Sequence, residues 1–276
     1  MNRFNQLFAQ STQRAFIPFF TLGDPNPEDS FDMICTAVDA EADGIELGFP
    51  FSDPITDGPV NQRSMRRALN AGTTYRTCLD LLSRVRAKYP ALPIGLLLYY
   101  NLLYMRGADA YRELADIGID AIVCSDLPYE ESADHMAELS RHGLGCIQMV
   151  APNTPLARAK LLFSTSSAFT YVISRFGTTG TSEQFERSAT ERIALLSEST
   201  DAPIVVGFGI SKVEQVQDFW RSGAHGVIVG SLFSMCIEKH LQDLAAARII
   251  VRKFIADVQS GKDDGPLVPS GRRQRA

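Results

Sequence analysis

Three carboxylates crowd one short stretch of the chain, Glu46-Leu-Gly-Phe-Pro-Phe-Ser-Asp53-Pro-Ile-Thr-Asp57-Gly-Pro59. Glu46 falls inside an apolar run in which Ile45 and Leu47 flank it. If that run is a strand, side chains alternate between its two faces. Ile45 and Leu47 then share one face, and Gly44, Glu46 and Gly48 share the other. An ionised carboxylate on an otherwise apolar face is costly unless it is paired or opens onto water. Two readings stay open for Glu46: an acid paired with a buried arginine, or a proton-transfer group. Asp57 is equally ambiguous. It precedes Gly58-Pro59 and a helix-compatible stretch, so it can be an N-cap or turn residue. It can also reach back toward Glu46, and two acids in different environments can divide acid and base roles between them.

A second kind of chemistry is written in glycines. Gly207-Phe-Gly209-Ile-Ser211 and Gly230-Ser231 each follow an apolar run, and residues 231–237 have the pattern of a short helix. Glycines let backbone approach a ligand closely, and the free N–H groups at a helix start favour an anion. Gly177-Thr-Thr-Gly180 follows an earlier run. The polar residues 181–188 behind it are long enough for a mobile lid. These segments predict a phosphate site. Taken singly, each glycine is also what an ordinary strand-to-helix turn needs.

The elements that must position these groups are legible from periodicity. Short apolar runs occur at 15–20, 44–47, 93–99, 121–124, 146–150, 169–173, 203–206 and 226–229, each bounded by Gly, Pro, Asp or Asn. They read as buried parallel strands. Residues 30–40, 109–117, 130–142, 190–199 and 213–222 carry apolar residues three and four apart, as amphipathic helices do. Eight strands alternating with helices predict an α/β fold, a (β/α)8 TIM barrel. A doubly wound open sheet is the alternative. It usually has fewer strands and a glycine fingerprint after the first, where this chain has Thr21-Leu-Gly-Asp-Pro25. In a barrel, Glu46 sits near the C-terminal end of its strand, the face where barrel enzymes keep their catalytic groups, and loops seven and eight are the usual phosphate site. Residues 1–10 read as an extra N-terminal helix covering the barrel bottom, and the helix after strand eight is a second addition. One domain is expected over residues 1–260. Residues 261–276, rich in Gly, Pro and basic side chains, are expected as a disordered tail.

Composition agrees. The chain has 276 residues, 45% of them hydrophobic, and a net charge of −5. That suits one barrel of about 250 residues and argues against nucleic acid as the main partner. Five cysteines with no close pair argue against a disulfide framework or zinc ribbon. With neither a signal-peptide core nor a membrane-length apolar run, the protein is expected to be cytoplasmic.

Over nearly its whole length the sequence resembles the tryptophan synthase α subunit. The motifs that carry the resemblance are Pro18-Phe-Phe-Thr-Leu-Gly-Asp-Pro25, the Glu46–Pro59 segment, Tyr99-Tyr-Asn101, Asp126-Leu-Pro128, Tyr171-Val-Ile-Ser-Arg175, Gly177-Thr-Thr-Gly180, Gly207-Phe-Gly-Ile-Ser211 and Gly230-Ser231. The resemblance implies a cofactor-free retro-aldol lyase that cleaves indole-3-glycerol phosphate to indole and glyceraldehyde 3-phosphate. It places the catalytic pair on Glu46 and Asp57. Phe19, Leu97, Met149, Phe208 and Ile228 would line the indole pocket, with Tyr171 beside Glu46. Gly180, Gly209, Gly230 and Ser231 would hold phosphate, and Thr179 would orient Asp57. For the apolar positions, plain core packing is the alternative. No metal and no cofactor is implied in this chain; pyridoxal phosphate belongs to the β subunit, the expected partner in an α2β2 complex. Asp53, Asn101 and the loops of the barrel mouth would form that contact.

The chain departs from the family pattern at several positions. Asn61 stands where an aliphatic residue is usual near the indole, and Ser125 stands where alanine is common. Phe176, Thr178 and Tyr129 also differ. None of these is one of the two acids. Asn61 bears on indole packing or the preferred aglycone, and Phe176 and Thr178 on lid closure. Two other functions fit the same residues: a stand-alone lyase that releases free indole, and a non-catalytic subunit that binds phosphate and activates β. Retention of both acids speaks against the second. A generic sugar-phosphate isomerase would leave the Glu46–Pro59 motif unexplained.

Overall fold

A computed structural model of the chain describes residues 2–9, 14–174 and 182–262, without side chains for 182–187. Among the described residues nine parallel strand segments form one sheet: β1 (Ala15–Thr21), β2 (Ile45–Gly48), β3 (Ile94–Leu98), β4 (Ala121–Cys124), β5 (Gly145–Cys146), β6 (Gln148–Val150), β7 (Thr170–Ile173), β8 (Ile204–Gly207) and β9 (Gly226–Val229). Their order is β5-β4-β3-β2-β1-β9-β8-β7-β6. The two ends of that order are separated in the chain by Ile147 alone, so the sheet closes into a barrel. The fifth of the eight expected strands is therefore present in two pieces. Gly145–Cys146 pairs with β4, and Gln148–Val150 pairs with β7.

The alternation read from the sequence decides which side chains fill the barrel. Ala15, Ile17, Phe19, Leu97, Val123, Tyr171, Val205 and Ile228 form an interior cluster. Their neighbours Phe16, Phe20, Ile45, Leu47, Leu96 and Val206 belong to a second cluster shared with the surrounding helices. Ile45 and Leu47 thus face outward and Glu46 inward. The expected helices are present as Pro27–Asp39, Ala108–Ile117, Ala133–Arg141, Ser182–Ser197 and Val213–Arg221. The helices Tyr75–Lys88, Leu156–Thr165 and Leu244–Ser260 complete the outer layer beyond those the periodicity singled out.

The N-terminal helix, Arg3–Phe8, plugs the bottom of the barrel. Phe4 is fully buried against Phe169, with ring centroids 5.1 Å apart in an edge-on arrangement. Its ring lies over Gly44 and Gly95, where a Cβ would make only an ordinary contact at 3.4–3.5 Å. Asp120, just ahead of β4, anchors this end. Its carboxylate accepts from Arg3 N and Nη1 (both 3.0 Å), Arg86 Nη2 (3.0 Å) and Ile94 N (2.9 Å). All five cysteines are buried and unbridged. Among the described residues no helix is long and apolar enough to cross a membrane. The expected tail from 263 onward lies outside the described residues, as do 177–181 of the expected lid, whose remaining residues 182–188 form the start of the helix Ser182–Ser197.

Candidate active site

Glu46 sits in β2 opposite Phe19 of β1 and Gly95 of β3. It is 2% exposed, and among the described residues its Oε1 has no hydrogen-bond partner. Among the described residues no arginine pairs with it, which leaves the structural reading of this acid without a partner there. A charge here would face apolar walls without compensation, so burial, reinforced by the negative Asp57, pushes its pKa up to about 8. At neutral pH Glu46 therefore carries its proton.

Asp57 comes to the same place from the loop after β2. It is not a helix cap: Gly58 is the N-cap of the helix Pro59–Asn70 and makes no side-chain cap bond. Instead its carboxylate is held by two donors. Tyr99 Oη donates to Oδ2 at 2.6 Å, and Asn61 Nδ2 approaches Oδ1 at 3.4 Å. Burial raises the Asp57 pKa, while the bonds from Tyr99 and Asn61 oppose that rise. The pair is thus asymmetric. Donors serve Asp57 and leave Glu46 Oε1 bare, so a single negative charge shared by the two settles on Asp57.

Tyr99 is itself held. Its hydroxyl accepts from Thr56 N (3.1 Å) and Thr56 Oγ1 (2.8 Å), and Thr56 Oγ1 lies 2.7 Å from Ser125 Oγ. Phe51 stacks on the Tyr99 ring at 4.9 Å. The loop that carries Asp57 is therefore fastened across the barrel mouth to the ends of β3 and β4. Tyr99 was visible in the sequence only as part of a motif. Its role as the Asp57 donor depends on a contact between residues 42 apart.

Both acids line one cavity of about 300 Å³, with Phe19, Leu97, Tyr171, Phe208, Gly209, Ile228, Gly230 and Ser231. Gly58, Pro59, Val60, Asn61 and Ile210 complete its lining; of these the sequence had singled out only Asn61 for the pocket itself. Met149 does not line this cavity. It packs against the interior cluster and faces a neighbouring cavity of about 350 Å³ with Ser125 and Asp126. Thr179 and Gly180 lie outside the described residues.

Close packing explains the glycines. A Cβ at Gly48 or at Gly230 would fall 2.7 Å from the Phe19 ring, so this ring needs both to reach the cavity wall. A Cβ at Gly207 would lie 2.1 Å from Tyr171 Oη. Phe208 has φ +79°, a left-handed conformation that costs a non-glycine residue energy, and Gly209 follows at +72°. Ser174 Oγ donates to the carbonyls of Gly207 (3.0 Å) and Phe208 (2.5 Å), which holds the strained turn. Gly230-Ser231 begins the helix Ser231–Lys239, whose N-terminus opens on the same cavity. The cavity thus combines an acid pair, apolar walls and an anion-favouring helix start. Among the described residues no cluster of metal-ligating side chains occurs.

Comparison with known proteins gives a consistent result. Residues 4–262 match the family model described as "Tryptophan synthase alpha chain". The tryptophan synthase α chain of Serratia proteamaculans (strain 568) is 40% identical over 264 residues, covering 94% of this chain and 98% of that one. The Shewanella oneidensis MR-1 protein of the same name is 43% identical over 241 residues, covering 87% and 86%. Among solved structures, one described as the tryptophan synthase α2β2 complex of Pyrococcus furiosus superimposes with a TM-score of 0.82 at 32% identity, covering 89% of this chain and 98% of its counterpart.

Proposed function

From the premise that the chain belongs to the tryptophan synthase α-chain family, we propose the roles of its residues in the α reaction. That reaction cleaves indole-3-glycerol phosphate to indole and glyceraldehyde 3-phosphate. Glu46 starts protonated and gives its proton to indole C3, which leaves the ring as an iminium with a positive N–H. The electrons of the bond from C3 to the glycerol carbon then return to the ring and restore neutral indole. The glycerol hydroxyl becomes the aldehyde, and its proton goes to the Glu46 carboxylate, so the acid is regenerated. Asp57, ionised, accepts the indole N–H and stabilises its developing positive charge in a site shielded from water.

Phe19, Leu97, Phe208 and Ile228 hold the indole, and Tyr171 lies against the glycerol chain. The N-terminus of the 231–239 helix, with Gly209, Gly230 and Ser231, takes the phosphate; Thr179 and Gly180 complete the set from the lid. Met149 supports the interior wall from behind. The observation that carries this reading is a bare, proton-bearing Glu46 and a doubly held Asp57 in one cavity.

The chain is proposed to act in the cytoplasm, bound to a tryptophan synthase β subunit in an α2β2 complex, with pyridoxal phosphate held by β. A surface fit for that partner rims the mouth. Ile55, Tyr104 and Met105 are 80%, 69% and 71% exposed, and Asp53, two residues before Ile55, and Asn101, three before Tyr104, are exposed as well. Single exposed apolar residues are ordinary, but three around one opening fit a docking face. Release of indole from indole-3-glycerol phosphate, measured with and without β, tests the proposal. Stimulation by β is expected, with loss of turnover in Asp57→Asn at retained substrate binding. Full turnover without β favours the stand-alone lyase, and no turnover in either case leaves a regulatory subunit.

A further inference from the structure

Asn61 occupies a position where an aliphatic side chain would complete an apolar indole wall, yet its amide is engaged on both sides. Oδ1 accepts from Ser234 Oγ at 3.2 Å, and Nδ2 faces Asp57 Oδ1 at 3.4 Å. The network fixes the amide's direction. A carboxylate can only accept, so the NH2 group must face Asp57, and the Ser234 hydroxyl is left to donate to the other end. Ser234 is the fourth residue of the helix whose first, Ser231, opens on the cavity. The two helices are joined at further points. Arg63 binds Glu238 through Nε (2.7 Å) and Nη2 (2.9 Å), and Arg67 Nη2 reaches the Ser234 carbonyl at 3.4 Å.

We infer that Asn61, braced by Ser234, is a positioning residue for Asp57, tying its carboxylate to the helix that heads the phosphate cradle. This rests on the roles proposed above for Asp57 and for that helix. An amide donor at this point stabilises the ionised carboxylate and restricts its rotation, which an aliphatic residue cannot do. Among the described residues, the ionisable groups interacting with Asp57 are Glu46, Tyr99 and Tyr171. The charges on the packed helices are engaged elsewhere: Arg63 with Glu238, and Arg67 with Asp24. Asn61 is the donor to Asp57 that comes from the helix side, while Tyr99 holds it from the barrel side.

The test is the pH dependence of indole release by the α2β2 assembly. Removing this 3.4 Å hydrogen bond to the ionised form in Asn61→Leu should move the acid limb of kcat upward, by up to about one pH unit. The loss of kcat should then be greatest at low pH, with KM changed less. Ser234→Ala should shift the limb the same way by less, and Ser234→Thr, which keeps the hydroxyl, should restore it. An Asn61→Leu enzyme with a wild-type limb, or with a kcat loss equal at every pH, overturns the inference. So does a wild-type limb in Ser234→Ala, a variant too mild to be dismissed as unfolded. Asp57→Asn in the same assay separates the two layers. If it keeps turnover, the role of Asp57 itself falls; if it loses turnover while Asn61→Leu is unchanged, only the role of Asn61 does.

Discussion

Two buried carboxylates mark the two ends of this barrel, and their surroundings differ in kind. Asp120 at the bottom is 4% exposed and receives four donors, two from Arg3 and one each from Arg86 and Ile94. Glu46 near the mouth is 2% exposed and has an oxygen with no partner among the described residues. A satisfied buried charge holds elements in register; an unsatisfied one keeps its proton and can give it away. The bottom of the barrel is built for stability and the mouth for chemistry.

The largest effect that would sharpen this contrast is on turnover. Glu46→Gln keeps the shape but cannot return a proton, and should lower indole release by about 10²- to 10⁴-fold with the fold intact by circular dichroism. Near-normal turnover would move the proton shuttle to another group. At the other end, Asp120→Ala leaves Ile94 N without its acceptor and takes a carboxylate from Arg3 and Arg86, which keep backbone carbonyls, and should cost about 1–3 kcal/mol in urea unfolding. The folded fraction should keep its catalytic rate. A change of rate with unchanged stability would reverse the assignment of the two ends.

The pH dependence of stability should separate them further. The folded Glu46 carboxyl titrates near 8, against 4.5 for an unburied one. Between those values the folded chain holds a proton that the unfolded chain releases, so the contribution of this group to stability falls as pH rises across the window. The slope approaches about 1.4 kcal/mol per pH unit. Glu46→Gln should flatten it, which urea midpoints from pH 5 to 8 would report. The smallest effect is expected from Ser125→Ala. It removes one hydroxyl from the Thr56–Tyr99 chain behind Asp57 and should lower kcat by no more than the equivalent of about 1 kcal/mol. An unchanged kcat would mean that Thr56 and Tyr99 hold the loop unaided.

The sequence carried the barrel because its signals were local. The alternation around Glu46 put Ile45 and Leu47 on the helix side, and the structure has them there. The strand breaks were legible to within a residue or two. One was not: the fifth strand is split at Ile147, which follows from where its two neighbours pair. The outer helices 75–88 and 244–260 are long but patterned less cleanly than 213–222. The cavity lining was legible where the motifs themselves lie in it, at Glu46, Asp57, Phe19, Tyr171, Gly209, Gly230 and Ser231. The hydrogen bonds behind it were hidden because they join distant residues. Asn61 and Ser234 are 173 apart, and Thr56 and Ser125 are 69 apart. Met149 shows the limit of parity. Its register opposite Tyr171 gives it an interior neighbour, but it meets the cluster from the side of the adjoining cavity.

The mouth carboxylate keeps its proton at neutral pH. Infrared difference spectroscopy over a pH titration tests this most directly, with Glu46→Gln as the reference. A protonated-carboxyl band is expected that persists at neutral pH, titrates near 8 and is missing from the variant. A Glu46 signal that titrates in the ordinary carboxylate range, near 4.5, would contradict it.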